Sequence, residues 1–294
     1  MIKQITEKLY AQIPSETLYH YTTFKGLLGI IDRRALWASD IRYMNDSSEL
    51  RHTIHLIRAE IARRIAPGHP YSALLNQFQE WVSHRIINGN MLFGASFRSN
   101  GNLLSQWRGY SSVGKGVSIG FSPEYIVKCA RNQGFQVGRC IYAPSVQEKL
   151  IARVVDAVEE LAEAAGVAHE NPVKDPTRYC HDVFEKVARN LLRIAALLKH
   201  PSFEEEDEWR IVSPAFSDHV TAPVLFREGA SMLVPYVEFD FLLEGENPIV
   251  LEHLFLGPTP NIEISMNSLT MFLSKNGIVP KRGISYCQIP FRQR

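Results

Sequence analysis

The stretch that most constrains the fold is 200–210, His-Pro-Ser-Phe-Glu-Glu-Glu-Asp-Glu-Trp-Arg. A helical pattern runs into it from 175 to 199, with Tyr179, Val183, Val187, Leu191, Ile194 and Leu198 as its apolar stripe. Pro176 fits a first helical position, and Pro201 lies just past the last turn. His200 reads as a C-terminal residue favouring the helix dipole. Residues 209–212 are apolar and leave as a strand. Between helix and strand sit five consecutive acids, Glu204, Glu205, Glu206, Asp207 and Glu208. If 204–210 is extended, alternate side chains share a face. Glu204, Glu206, Glu208 and Arg210 then line one side, with Asp207 and Trp209 on the other. Like charges so spaced repel by up to ~1 kcal/mol per close pair. Composition alone favours a solvated acidic loop. The sharper reading makes one or two of these glutamates catalytic or cofactor-binding.

The 294 residues suffice for a substantial core, and net charge of +1 announces no nucleic-acid or membrane partner. Cys129, Cys140, Cys180 and Cys287 form no CxxC pair, which argues against a cysteine zinc site or a disulfide framework and for free thiols in a reducing compartment. The first residues lack the apolar core of a signal peptide, and no apolar run reaches ~18 residues. The expectation is a cytoplasmic protein without a membrane partner.

Residues 18–22 read as a strand, 24–33 as a helix and 36–39 as a second strand. Asn45 or Asp46 can cap the next helix, with Glu49 in a capping-box arrangement. Its apolar face is Leu50, Ile54, Ile57, Ile61 and Ile65, and it ends before Pro67-Gly68. Another amphipathic stretch runs from Pro70 to Asn88-Gly89. Strands follow at 91–97 and 116–121. Ser122-Pro123-Glu124 then supplies a cap, a first-turn proline and a first-turn acid. Residues 135–142 are strand-like, and 146–166 and 175–199 form two helices. Strands follow at 209–212, 223–226, 233–239 and 250–257, then a helix at 262–275 and a strand at 283–288. Helices cluster early and mid-chain, so the class is α+β: mostly antiparallel sheets with surrounding helices and an inserted helical hairpin. We expect a single domain, with a core of about 16–143 and 201–294 and the insert at about 144–200.

Gly114-Lys115-Gly116 is followed by a strand, so it lacks the helix N-terminus that a phosphate loop needs. His52 and His55 share a helix but have no HExxH frame, and no metal is expected. There is no GxSxG elbow, and Ser105-Gln106-Trp107 lacks the strand-turn-helix setting of a hydrolase serine. Three polar-aromatic clusters remain: His20-Tyr21-Thr22; Ser105 to Tyr110 with Ala95-Ser96-Phe97 before it; and Glu206 to Arg210. Each alone is more often structural, since Tyr, Trp and His at strand edges commonly snorkel. Together they resemble a site. Aromatics can stack on a base or nicotinamide, His and Thr can hold ribose hydroxyls, and a glutamate can stabilise oxocarbenium-like charge.

The ordered series Leu-Tyr-His-Tyr-Thr from 18, Asn45-Asp46-x-x-Glu49, Ala-Ser-Phe from 95, Ser-Gln-Trp-Arg-Gly-Tyr from 105, Gly-Val-Ser-Ile-Gly-Phe from 116, Phe203-x-x-Glu206-x-Glu208-Trp-Arg, Phe-Leu-Gly-Pro from 255 and Ile-Pro-Phe-Arg from 289 resembles a bacterial domain-of-unknown-function family, DUF2971. The opening His-x-Thr, a mid-chain aromatic and a late Glu are similar to the His–Tyr–Glu arrangement of ADP-ribosyltransferases. That distant resemblance implies an ADP-ribosyltransferase-like fold and an enzyme consuming NAD, in a bacterial toxin or antiphage defence setting. His20 would hold the ribose with Thr22 in support, and Tyr21 or Tyr110 would stack near nicotinamide. Glu208 or Glu206 would be the catalytic acid. Ser96, Trp107 and Arg210 would complete the NAD site, which lies between the His20 strand and the Gly116 strand. The acceptor would be protein, nucleic acid or water. Many such enzymes carry Gly where Tyr21 follows His20 here, and the Trp-Arg after the glutamates is foreign to them. Two other readings stand beside this one. One is a metal-dependent nuclease or phosphoesterase using Asp46, Glu49, Glu206 and Glu208. The other is a non-enzymatic module binding a nucleotide-like small molecule or a partner.

Overall fold

A computed structural model describes residues 1–44, 48–65, 69–110, 116–166, 176–242 and 249–288. The elements in chain order are α1 (Ile2–Leu9), β1 (Leu18–Thr23), α2 (Phe24–Arg33), β2 (Ala35–Asp40), α3 (Ser48–Arg64), α4 (Ser72–Asn88), β3 (Phe93–Arg98), α5 (Leu104–Tyr110), β4 (Gly116–Phe121), α6 (Pro123–Asn132) and β5 (Gln136–Arg139). Then come α7 (Pro144–Ala164), α8 (Pro176–Ala195), β6 (Glu208–Val212), β7 (Leu225–Glu228), β8 (Leu233–Asp240), β9 (His253–Leu256), α9 (Ile262–Lys275) and β10 (Ile284–Tyr286).

The ten strands among the described residues join one sheet, ordered β10-β9-β4-β1-β3-β2-β8-β7, with β6 branching from β3 and β5 beyond it. Every strand pair is antiparallel except β10 with β9. The expected α+β class with a mostly antiparallel sheet and surrounding helices is what forms. One sheet face carries α2, α6 and α9 over a core that includes Leu27, Ile126, Phe121, Phe239 and Leu273. The other carries α1, α3, α4, α7 and α8 over a second core, which takes in Ile57, Ile61, Phe78, Val154, Val187 and Val212. α7 and α8 leave and return between β5 and β6, which are themselves paired.

Local signals explain the well-placed elements. Ser122 caps α6 by accepting from the Tyr125 N–H, and Thr23 caps α2 by accepting from the Gly26 N–H. Val183, Val187, Leu191 and Ile194 are buried as the 3.6-residue stripe requires, and Leu198, past the end of α8, is buried as well. Each fully buried aliphatic contributes ~1.5–3 kcal/mol, far more than helix-propensity differences of a few tenths, so burial decides how α8 lies.

Four local expectations differ from the structure. The N-terminal eight-residue α1 was not expected; Ile2 and Ile5 bury against the helical layer, and the Tyr10 hydroxyl donates to the Arg193 carbonyl. Residues 105–110 form α5, so the stretch after β3 does have a strand-turn-helix arrangement. α8 ends at Ala195, and His200 is not its C-terminal residue but the N-cap of a 3-10 helix, Pro201–Glu206. The acids are therefore not one extended run. Glu204 to Glu206 lie in 3-10 turns, Asp207 takes a left-handed conformation at φ 37°, and extension begins only at Glu208. An Asp tolerates that conformation because its short polar side chain bonds locally.

Candidate functional site

Direct cross-strand neighbours lie on one sheet face. Pairing Glu208 with Arg98, Arg98 with Tyr19, Tyr19 with Gly120 and Gly120 with His253 makes one row across β6, β3, β1, β4 and β9. Polar side chains fill both ends of that row.

At the β6 end, Glu208 is fully buried. Its Oε1 accepts from Arg210 Nε at 2.6 Å and from the Ser96 hydroxyl; its Oε2 accepts from Lys199 Nζ at 2.6 Å and lies 3.3 Å from Arg98 Nη1. Arg210, two residues on and on the same face, turns its fork to Glu49 of α3 at 2.6 and 2.7 Å and also donates to the Ala196 carbonyl. Lys199 Nζ reaches Glu206 at 2.5 Å, and Arg98 Nη2 reaches the same carboxylate oxygen at 2.6 Å. Three cations thus meet three carboxylates, and the charges cancel. Only Glu206 reaches the surface appreciably, its side chain 18% exposed against 0–6% for the other five.

The fold positions each member by backbone contacts. Lys199 follows α8, where its N–H donates to the Ile141 carbonyl, and Gln147 clamps the carbonyls of Ile141 and Lys199 together. The Tyr142 hydroxyl accepts from the Glu208 N–H. Asp207 accepts from Ser99 and from Arg139, pinning the left-handed corner before β6. Burial pushes the Glu208 carboxyl up, but Arg210, Arg98 and Lys199 outweigh it and hold that carboxyl well below the usual range. Burial works most strongly against the Lys199 and Arg210 charges, and Glu208 and Glu49 together, with the Glu206 hydrogen bond at Lys199, more than offset it, raising both.

His20 joins this end through the backbone. β3 meets β2 at Phe93 and Gly94 and β1 at Arg98, so strand pairing on that edge skips Ser96. The Ser96 carbonyl accepts from His20 Nδ1 at 3.0 Å. A carbonyl cannot donate, so Nδ1 carries the proton and Nε2 presents a lone pair. Burial and, to a lesser degree, the Arg98 charge lower the His20 pKa against the hydrogen bond to Ser96, keeping the ring neutral at pH 7. The Ser96 main chain thus links contacts on the two faces of the sheet: its carbonyl accepts from His20, which packs on Phe97 on the face opposite Tyr19, while its hydroxyl donates to Glu208, which shares Lys199 with Glu206.

The remaining expected residues are placed otherwise. β1 and β4 are paired over six residues, so no cleft opens between the His20 and Gly116 strands; the break in pairing lies on the other side of β1. Tyr21 and Trp107 are nearly fully buried against each other, ring centroids 4.8 Å apart, with Cys287 in the same cluster. Their polar atoms are used internally: Tyr21 donates to the Asn100 carbonyl, and Trp107 Nε1 donates to Asn102. Thr22 is half-buried on β1 beside Gly26. Tyr110 closes α5, but its side chain lies outside the described residues, as do Asn45, Asp46, Gly114-Lys115 and the 289–292 motif. Glu49 turns both carboxylate oxygens to Arg210, and the expected capping box involves Asn45 or Asp46, outside the described residues. His52 bonds Gln147 and packs on His200, while His55 is exposed. No group of three metal-ligating side chains occurs among the described residues.

Arg98, Lys199 and Ser99 were missed from the sequence. Arg98 ends an apolar strand, a position that reads as surface, and Lys199 reads as a helix terminus. Two signals could have found them: an isolated basic residue continuing a buried alternation, and five acids that need counter-charges.

Residues 106–211 match a family described as a protein of unknown function (DUF2971), in line with the resemblance read from the motifs. That span holds most of α5, β4, the helical hairpin and the acidic corner through most of β6. No curated protein and no solved structure matches the chain. Among the described residues, no helix is long and apolar enough to cross a membrane.

Proposed function

We propose that the protein binds NAD at the break in strand pairing beside β1 and cleaves its nicotinamide–ribose bond, an ADP-ribosyltransferase-like activity with water as the minimal acceptor. The observation that carries this reading is that both motifs meet at Ser96, whose backbone carbonyl accepts from His20 and whose hydroxyl donates to Glu208, which shares Lys199 with Glu206. It connects two motifs nearly two hundred residues apart that the chemistry needs together. The free lone pair at His20 Nε2 suits a ribose hydroxyl donor. Glu206 is the carboxylate that reaches the surface, and an oxocarbenium-like charge is stabilised by such a group. Glu208 stands behind it and fixes Lys199 and Arg98, which in turn hold Glu206. A cytoplasmic location, where NAD is plentiful, goes with this reading, as does a toxin or defence role in a bacterium.

The test is nicotinamide release from NAD by the wild type, Glu206→Gln and His20→Asn. Loss of a catalytic carboxylate costs on the order of 10²–10⁴-fold. No release by the wild type, or equal release by Glu206→Gln, overturns the assignment. The complete enclosure of Glu208 favours one alternative, a nucleotide-binding module without turnover. NAD binding by calorimetry with no nicotinamide released would select it. A magnesium-dependent nuclease draws less support, because Glu49, Glu206 and Glu208 converge on Lys199 and Arg210 instead of on an open site.

A further inference from the structure

We propose that Ser285, His253 and Tyr19 form a second reactive site, a serine nucleophile with its base and an orienting acceptor, suited to esters that carry an anionic group. It lies at the opposite end of the cross-strand row and does not rest on the NAD reading.

The geometry is a continuous chain. Ser285 Oγ lies 2.9 Å from His253 Nε2, and His253 Nδ1 lies 3.0 Å from the Tyr19 hydroxyl. The three residues sit on β10, β9 and β1, two of which are not adjacent. Gly120 of β4 stands between Tyr19 and His253, and only glycine permits the contact: a Cβ there would come within 2.8 Å of the Tyr19 ring. Gly101 leaves the other side of the same ring open in the same way, a Cβ there meeting it at 2.4 Å. Phe255 packs edge-on against the imidazole at 4.4 Å and fixes its plane. His253 is buried, while Ser285 is half-buried on the outer strand of the sheet and so within reach of a ligand. Burial first, then the Arg282 charge, lowers the His253 pKa, so the ring is a neutral base at pH 7. With Nδ1–H donated to Tyr19, Nε2 accepts the Ser285 proton. The exposed Arg282 lies beside this chain, its Nη1 3.4 Å from the Thr17 hydroxyl, and supplies positive charge for an anionic substrate.

In the reaction, Ser285 Oγ bonds to the ester carbonyl carbon as the bond to the leaving oxygen breaks. The serine proton passes to His253 Nε2 and then to the departing alkoxide. Water, deprotonated by the same nitrogen, cleaves the acyl-serine, releases the carboxylate and restores the hydroxyl.

The experiment treats native full-length protein with an alkyl fluorophosphonate, which forms a serine–phosphorus bond with loss of fluoride, and maps the adduct by mass spectrometry. The expected result is a single adduct on Ser285, slowed on the order of 10²-fold or more in His253→Gln. In Tyr19→Phe, labelling slows and its pH midpoint moves down, because the imidazolium loses an acceptor while Arg282 and Glu252 still face it. An aryl ester with an anionic acyl chain should turn over faster than its neutral analogue, a preference that Arg282→Ala removes. No adduct on the native protein, an adduct elsewhere, or Ser285 labelling unchanged in His253→Gln overturns the site. Equal rates for the two esters overturn the substrate class.

Discussion

The two ends of the polar row solve the same problem by opposite means. At the β6 end, six ionised groups are taken out of water and made tolerable by mutual pairing. At the β9 end, the groups are neutral, and hydrogen bonds suffice. A buried charge left without its partner costs several kcal/mol, whereas a buried hydroxyl left without one costs about 1–3 kcal/mol. The charged end is therefore all-or-nothing and the neutral end is forgiving. In the roles proposed for them, the locked network positions Glu206, its one partly exposed member, and the neutral chain is free to pass a proton.

The largest expected break of this comparison is Glu208→Gln. It removes one of three negative charges from the sealed cluster and leaves Lys199, Arg98 and Arg210 in excess. Loss of one partner of a buried pair costs ~3–5 kcal/mol. Glu206→Gln removes the same charge from a partly solvated position, where water takes up part of the loss, and should cost less, ~1–3 kcal/mol. Urea unfolding of the two variants measures the gap; equal destabilisation would mean that burial does not distinguish them. The same gap is why Glu206→Gln, not Glu208→Gln, is the informative variant for nicotinamide release.

How much of this was legible in the sequence follows from range. Helices α2 and α9, the cap at Ser122 and the apolar alternation of β4 and β8 are set by neighbours within a few residues, and they read correctly. The corner at Asp207 did not, because its left-handed turn depends on Ser99 and Arg139, both far away in sequence. The acids looked like repelling neighbours for the same reason. Their counter-charges come from β3, from the segment after α8 and from β6 itself, and no local pattern announces that meeting. The ion pair of Arg210 with Glu208 was legible, since strand alternation puts the two on one face. Its second partner, Glu49, was not. Tyr19, His253 and Ser285 carried no signal at all, because strand order alone brings them together.

Acid should separate the histidines of both ends from the carboxylates of the charged end by the pH at which each fails. The folded pKa values of His20 and His253 are lowered, so as pH falls the unfolded chain takes up protons first, and stability starts to drop below ~6.5. Glu208 is held well below the usual carboxylate value, so its stabilisation is intact above ~4.3 and is lost as pH falls from there toward its depressed folded value. Urea midpoints from pH 7.5 to 3 should therefore fall in two stages. His253→Gln weakens the first stage, and Glu208→Gln removes much of the second. A single stage confined to the carboxylate range would show that the histidines are not kept neutral by the fold.

The smallest effect should come from Ser285→Ala. Ser285 is half-buried and gives one hydrogen bond to a neutral ring, so its removal should cost ~1 kcal/mol. Gly120→Ala places a Cβ against the Tyr19 ring and should cost ~1–3 kcal/mol through strain, since the ring is also held by β1 pairing and by Gly101 on its other side. Thermal unfolding of both variants, read beside fluorophosphonate labelling, separates stability from reactivity. Ser285→Ala should be nearly as stable as the wild type yet unlabelled. Gly120→Ala should be destabilised and also poorly labelled, because the Tyr19–His253 contact that orients the base is displaced. If Gly120→Ala unfolds earlier but labels at the wild-type rate, Tyr19 does not orient His253, and the Tyr19–His253 contact is a packing feature.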